Sequence, residues 1–303
     1  MEPLRRVTHD EIEAFWRDGV VCLRSILPVD LVDAMSGPVE VALVGPETAD
    51  MSALSDAVSD GGDEVLVDRT GPEPFADLSG SEAFDDDPMG RGLFRSGVDH
   101  WRVRPEFRDF ACGAPIPGIA ADVLRSDQVN LYEDSVLVKE PGTPERTAWH
   151  QDLSYFNVDG DQLATLWIPL DAVTTESGAM RFVRGSHLWG SVFQPNLFVS
   201  NVPLPGTDGA QVPDIDADPS AFDLVGFELG PGDLTIHHAR TLHAAGGNRS
   251  ERRRRAISLR YCGSDARFRR RPGTVLKAHQ SAMSDGDLLD SDDCPVVWRR
   301  SWN

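Results

Sequence analysis

Lysine is nearly missing from this sequence: of 29 basic residues, only Lys139 and Lys277 are not arginine. The basic side is also outweighed, since 49 Asp and Glu leave a formal charge of −20 over 303 residues. Nucleic acids and anionic membranes need a basic face to meet their phosphates, so partners of both classes are not expected. Cysteine is scarce and unclustered, with Cys22, Cys112, Cys262 and Cys294 far apart and no CxxC pair. That speaks against a zinc ribbon or a redox dithiol and for free thiols in a reducing compartment. No stretch approaches the roughly 20 apolar residues that span a bilayer. The opening MEPLRRVTHDEIEAFW has no apolar signal-peptide core, so a soluble cytoplasmic protein is expected. Internal repeats are absent too, and the 40% hydrophobic content suffices for a core without disulfide or metal staples.

What is present falls into two regions. Thr8 to Glu11 form a T-x-x-E capping box ahead of Ile12, Phe15 and Trp16, Gly19 is a stop, and VVCL (20–23) reads as a strand. A second helix is expected from Pro28 to Met35. Residues 45–90, rich in Asp, Gly, Ser and Pro, read as an acidic, partly mobile insertion. WRVRPEFRDF (101–110) reads as a solvated helix or loop with surface charges, the lesser reading being an arginine for an anionic substrate. From about residue 128 the pattern changes to short β-type runs between turns, including VNLYEDSVLVKE, LATLWIPLDAV, DLTIHH and RAISLRYC. Many short strands with Gly and Pro turns point to a sandwich or barrel. One long polar loop, 201–220, is a candidate lid.

Within that region stands WHQD, 149–152. With 8 His and 34 Asp in the chain, composition alone yields close to one His-x-Asp, and this is the only one. Its meaning depends on context. In a strand, residues i and i+2 share a face, so His150 and Asp152 would present an imidazole and a carboxylate side by side. That is two thirds of a 2-His-1-carboxylate triad suited to Fe(II), the third member coming from His187, His237, His238 or His243. His237 and His238 are adjacent and face opposite ways on a strand, so one points toward the pocket and the other is structural. His187, in GSH, reads as a turn-orienting residue.

The stretch PGDLTIHHARTLHAAGGNRSERRRRAISLRY (231–261) gives the pair a partner. Taken with WHQD, SGAMRFVRGSH (177–187) and FWRDGVVCLRSIL (15–27), it resembles the phytanoyl-CoA dioxygenase family of Fe(II)/2-oxoglutarate oxygenases. The resemblance implies a mainly β fold with flanking helices, a double-stranded β-helix (jelly roll, cupin-like). It spans most of the chain apart from 45–90, and a single domain over 1–303 is expected, with an N-terminal helix and strand in 1–44 and a jelly-roll core in 128–265. It also implies that His150, Asp152 and His243 hold iron, and that an arginine eleven residues past the distal histidine binds the far carboxylate of 2-oxoglutarate. The count from His243 lands on Arg254, but 252–255 are all arginine, so Arg255 stays open as the alternative. A guanidinium fork is the natural bidentate partner of a carboxylate. Lys139 stands where the family often has a lysine near the co-substrate. Alternation turns Gln151 away from the ligands, yet it and Trp167 remain lesser candidates for lining the pocket. Trp149, Tyr155 and Phe156 are either substrate walls or core.

The implied cofactors are Fe(II), 2-oxoglutarate and O₂, and the implied reaction hydroxylates a C–H bond of a small molecule with release of succinate and CO₂. Halogenating relatives lack the carboxylate ligand, so Asp152 speaks for hydroxylation. The alternatives are redox-neutral, cyclising or epimerising chemistry at the same iron, or a non-catalytic jelly-roll binding protein. The family name does not fix the substrate. A CoA thioester carries several phosphates and wants a basic entrance, whereas this chain is strongly acidic. A secondary metabolite or an amino-acid-like molecule is the expectation.

Overall fold

The computed structural model describes residues 2–61, 91–113 and 115–300. Thr8 caps α1 (His9–Asp18) as expected: its hydroxyl accepts from the Glu11 N–H at 3.2 Å while the Glu11 carboxylate accepts from the Thr8 N–H at 2.8 Å. Gly19 ends the helix at φ 79°, the left-handed region, and the chain enters β1 (Val20–Leu23). Two short helices, α2 (Val29–Asp33) and α3 (Ser36–Ala42), follow.

The next segment departs from the expected acidic insertion. Residues 48–61 form β2 (Thr48–Asp50) and α4 (Met51–Gly61). The strand pairs with β3 (Phe94–Val98), and Met51 and Leu54 are buried beside Phe94 and Leu137. The remainder of the expected insertion, 62–90, lies outside the described residues. The arginine-rich stretch at 101–110 is also more than surface. It forms α5 (His100–Val103) and α6 (Pro105–Cys112), which with α7 (Ile116–Leu124) bury Trp101, Phe107 and Phe110. Arg102 pairs with Asp293 and Arg104 with Glu47, and neither is in the lining of the cavity described below.

The strands from 128 onward build the expected double-stranded β-helix. They are β4 (Gln128–Lys139), β5 (Thr147–His150), β6 (Val158–Asp159), β7 (Leu163–Pro169), β8 (Met180–Val183), β9 (Leu224–Gly226), β10 (Leu234–His238), β11 (His243–Ala245), β12 (Arg254–Cys262), β13 (Arg267–Phe268) and β14 (Val296–Arg299). The larger sheet runs β1-β10-β7-β12-β4-β3-β2, with β14 also on β4, and the smaller runs β5-β11-β8-β9. The larger sheet therefore recruits strands from both ends of the chain, beyond the 128–265 core.

Two-residue alternation decides what lies between the sheets. On one face of the large sheet, Val136, Val138, Leu166, Ile168, Leu234, Ile236, Ile257 and Leu259 pack against Phe15, Phe107, Ile116 and Ile119 of the helices. Each such side chain contributes about 1.5–3 kcal/mol of burial. The opposite face carries Leu137, Thr165, Trp167, His237, Arg254, Ser258 and Arg260, and these line a cavity facing the small sheet. Polar residues at these buried positions are what a solvent-averse core would avoid, and they mark the site.

Candidate metal centre

His150 ends β5 and His243 begins β11, and the two are paired directly across the antiparallel ladder. Residues so opposed project to the same face, and the two ring centroids are 4.2 Å apart. Each ring is oriented by a backbone carbonyl two residues earlier: Nδ1 of His150 lies 2.7 Å from the Ala148 oxygen and Nδ1 of His243 lies 2.9 Å from the Thr241 oxygen. A carbonyl only accepts, so Nδ1 carries the hydrogen and each Nε2 presents a lone pair.

Asp152 does not continue the strand, as the sequence had led us to expect, but opens a 3₁₀ turn, Asp152–Tyr155. Leu153 draws the chain into that turn, bonding its N–H to the Ala239 carbonyl and burying its side chain completely. The i, i+2 relation survives because Gln151 is extended, φ −108° and ψ 135°. Asp152 Oδ1 thus lies 3.6 Å from His150 Nε2 and 3.7 Å from His243 Nε2. The three candidate ligand atoms all fall within 4.8 Å of one another, and all three residues are buried. Burial pushes the Asp152 pKa up, but the surrounding His243, His150 and His237 outweigh it and hold the carboxyl well below its usual range. Burial, with His150 and His237 nearby, keeps His243 neutral, its pKa well below the ordinary value. The imidazole Nε2 atoms of His150 and His243 and the Asp152 carboxylate, converging from paired strands and the adjoining turn, are the donor set of a facial triad for Fe(II).

The cavity in front of them, about 400 Å³ counting its open mouth, runs to Arg254. This arginine is buried, its Nε has no hydrogen-bond partner, and no carboxylate lies within salt-bridge reach among the described residues. Burial lowers its pKa to about 10, which leaves the guanidinium charged at neutral pH. Its Cζ sits 5.5 Å from the centre of the Trp167 ring. A buried, uncompensated guanidinium is costly unless an anion joins it, so the residues present fit a keto acid's far carboxylate. Arg255, the alternative, points the other way and is consumed by Asp171 and Glu40.

Other expected site residues fall in different places. Trp167 lines the cavity. Lys139 stands opposite Arg254 in the β4–β12 register but outside the lining, donating to the Glu145 and Gly246 carbonyls at 2.9 and 2.7 Å. Burial, with Arg254 nearby, lowers the Lys139 pKa well below its usual value. Gln151 is not in the lining: alternation turns its amide outward, where it donates to the Arg240 and Ser191 carbonyls and accepts from the Phe193 N–H. Of the adjacent histidines, His237 faces the cavity, while His238 bonds the Asp161 carbonyl beside His187. His187 itself faces the Trp16 carbonyl.

The aromatics flanking the motif are core rather than cavity walls. Trp149 donates to Asp216, Tyr155 donates to the Asn196 side chain, and Phe156 packs on Tyr132. Thr165, Ser258, Arg260, Met180 and Phe198 also line the cavity, and no motif in the sequence marks them. Ser258 and Arg260 lie four and six residues past Arg254, and Thr165 two before Trp167, so alternation alone placed them on the right face. Phe198 had no such signal. It sits in a loop at φ 64° with its ring 5.3 Å from that of His150, a strained backbone of the kind that gathers at functional sites.

Comparison with known proteins finds relatives named as alpha-ketoglutarate-dependent enzymes. A probable alpha-ketoglutarate-dependent hypophosphite dioxygenase of Stutzerimonas stutzeri is 33% identical over 155 residues, 48% of this chain and 50% of that protein. A 2-aminoethylphosphonate dioxygenase from the uncultured bacterium HF130_AEPn_1 is 28% identical over 155 residues, 51% of this chain and 53% of that protein. The chain thus spans about half the length of these curated relatives. The crystal structure of a non-heme alpha-ketoglutarate-dependent carbocyclase, SnoK, from nogalamycin biosynthesis matches with a TM-score of 0.63 at 23% identity over 96% of both chains, a likeness of fold. The profile of the phytanoyl-CoA dioxygenase (PhyH) family matches residues 15–256, and the chain belongs to that family.

Proposed function

We propose that this protein is a non-haem Fe(II)/2-oxoglutarate-dependent oxygenase that hydroxylates a C–H bond of a small molecule. One observation carries the reading: two imidazole Nε2 atoms and one carboxylate oxygen converge on a cavity lined by a buried arginine that has no carboxylate within salt-bridge reach among the described residues. His150, Asp152 and His243 would hold Fe(II), and Arg254 would take the far carboxylate of 2-oxoglutarate. With O₂, that pair of cofactors supplies the oxidant for the C–H bond while the keto acid leaves as succinate and CO₂.

The chain's own contribution is placement. The Ala148 and Thr241 carbonyls fix the two rings, so each Nε2 is aimed without reorganisation. Arg254 sets the direction of the keto acid, since a guanidinium fork accepts a carboxylate in few orientations. Leu137, Met180, Phe198, Ala244 and Ala245 give the cavity an apolar wall that excludes water.

The substrate is proposed to be small, a secondary metabolite or an amino-acid-like molecule. Two relatives are named for hypophosphite and 2-aminoethylphosphonate, both far smaller than an acyl-CoA. The formal charge of −20 also speaks against a polyphosphate thioester.

Anaerobic addition of Fe(II) and 2-oxoglutarate should produce a weak visible charge-transfer band, and admission of O₂ should yield succinate. Asp152→Ala should abolish both signals. Absence of the band and of succinate in the wild type would sink the proposal.

A further inference from the structure

The two oxygens of Asp152 have different surroundings. Oδ1 faces His150 and His243, whereas Oδ2 is turned toward the large sheet. There it accepts the Thr165 hydroxyl at 2.5 Å and lies 3.3 Å from Nε2 of His237. Thr165 and His237 are paired in register on β7 and β10, so a single rung of the ladder holds this oxygen. His237 is fully enclosed, its ring centroid 5.3 Å from that of Phe182 and 4.3 Å from that of His243. Its Nδ1 has no hydrogen-bond partner among the described residues. A hydrogen on Nδ1 alone would be a buried donor with nothing to bond, while a lone pair on Nε2 would face a carboxylate. Both penalties vanish when Nε2 carries the hydrogen and donates it.

We propose that His237 is a positioning residue for the metal centre: its Nε2–H, together with the Thr165 hydroxyl, holds Asp152 Oδ2 so that the carboxylate offers Oδ1 alone to the metal. This inference rests on the metal-site reading above. The benefit is a coordination position, since a carboxylate that swung to bind through both oxygens would occupy one needed by the keto acid or O₂. Packing alone does not explain the residue. A phenylalanine would fill the space beside Phe182, suit a β-strand and avoid burying an imidazole.

The test is Co(II) titration of the apoprotein, followed by visible absorption, for the wild type, His237→Phe, His237→Gln and Thr165→Val. Glutamine keeps a donor at the reach of Nε2 and phenylalanine removes it. The phenylalanine and valine variants should bind Co(II) about 10–100-fold more weakly, and glutamine within about threefold of the wild type. Apoprotein melting curves should show all variants folded, and if the phenylalanine variant is not, His237→Leu takes its place. Wild-type affinity in the donor-free variant overturns the proposal. So does glutamine weakening binding as much as phenylalanine, which would make His237 a ligand or a packing residue. A wild type that binds no Co(II) overturns the metal-site reading together with this inference, whereas wild-type binding with an unchanged phenylalanine variant removes this inference alone.

Discussion

Arg254 and Arg255 are adjacent and chemically identical, yet one is buried without a salt-bridge partner among the described residues and the other is tied to Asp171 and Glu40. A bidentate charge-assisted contact is worth about 3–5 kcal/mol in a dry pocket. Arg254→Ala should therefore raise the 2-oxoglutarate KM about 100-fold or more while metal affinity changes only a few-fold, as read by succinate formation and metal titration. Arg255→Ala should leave that KM within about threefold. The reverse outcome would place the keto acid on the other face of β12. The clustering of His150, Asp152 and His243 was legible because residues i and i+2 share a face and the family resemblance chose His243 from four histidines. The arginine was legible only to within one residue, because a run of four erases the alternation that would distinguish them. His237 was visible as a candidate, but its contact with Asp152 joins residues 85 apart and has no sequence signal.

At the level of elements, the loop regarded as a lid is fastened. Asp216 accepts from the Trp149 indole at 3.0 Å, from Arg146 at 2.8 Å and from Arg181 at 3.0 Å, joining the loop to the strand that carries His150 and to β8. Burial raises the Asp216 pKa, but these partners outweigh it and hold it below the usual range, so the clamp stays ionised at neutral pH. Asp216→Asn should increase amide hydrogen exchange across 201–220. Asp214→Asn and Asp218→Asn should not, since these acids are exposed and only contact their own turns. Equal exchange in all three would make the clamp surface decoration.

Gln151 is a second fastener. Its three hydrogen bonds hold the segments at 191–193 and 240 against the metal strand, so Gln151→Leu should cost about 2–4 kcal/mol in chemical unfolding by stranding buried backbone groups. Helix α1 and strand β1 were legible because capping and stop residues are local signals. The strand at 48–50 and the buried face of 101–110 were not, because their polar residues dominate the composition while a few apolar side chains, such as Met51, Trp101 and Phe107, decide the packing.

For the whole molecule, acid stability depends on buried neutral histidines. Burial, then the neighbouring His187 and Arg240, lowers the His238 pKa to about 3, with only Asp161 opposing. Its unfolded value is about 6.5. Below that pH the unfolded chain binds a proton that the folded one refuses, so stability is full above about 6.5 and is lost as pH falls toward 3. This site alone should remove about 2 kcal/mol between pH 7 and pH 5. His238→Gln should flatten the unfolding free energy by that amount over the same interval, and an unchanged slope would contradict it. The other deeply buried pair does not contribute comparably. Burial lowers His100 to about 4 and raises Asp134 to about 7, and their effects run in opposite directions over that window. The overall architecture was legible through family resemblance rather than periodicity. Pairing β1 with β10 or β12 with β4 links segments more than a hundred residues apart, and strand patterns carry no record of their partners.

The most direct measurement is anomalous diffraction at the iron edge from crystals grown anaerobically with Fe(II) and 2-oxoglutarate. One peak should appear, bound by Nε2 of His150, Nε2 of His243 and Oδ1 of Asp152, with the keto acid's far carboxylate on Arg254. Iron bound elsewhere, or a keto acid that does not reach Arg254, would contradict it.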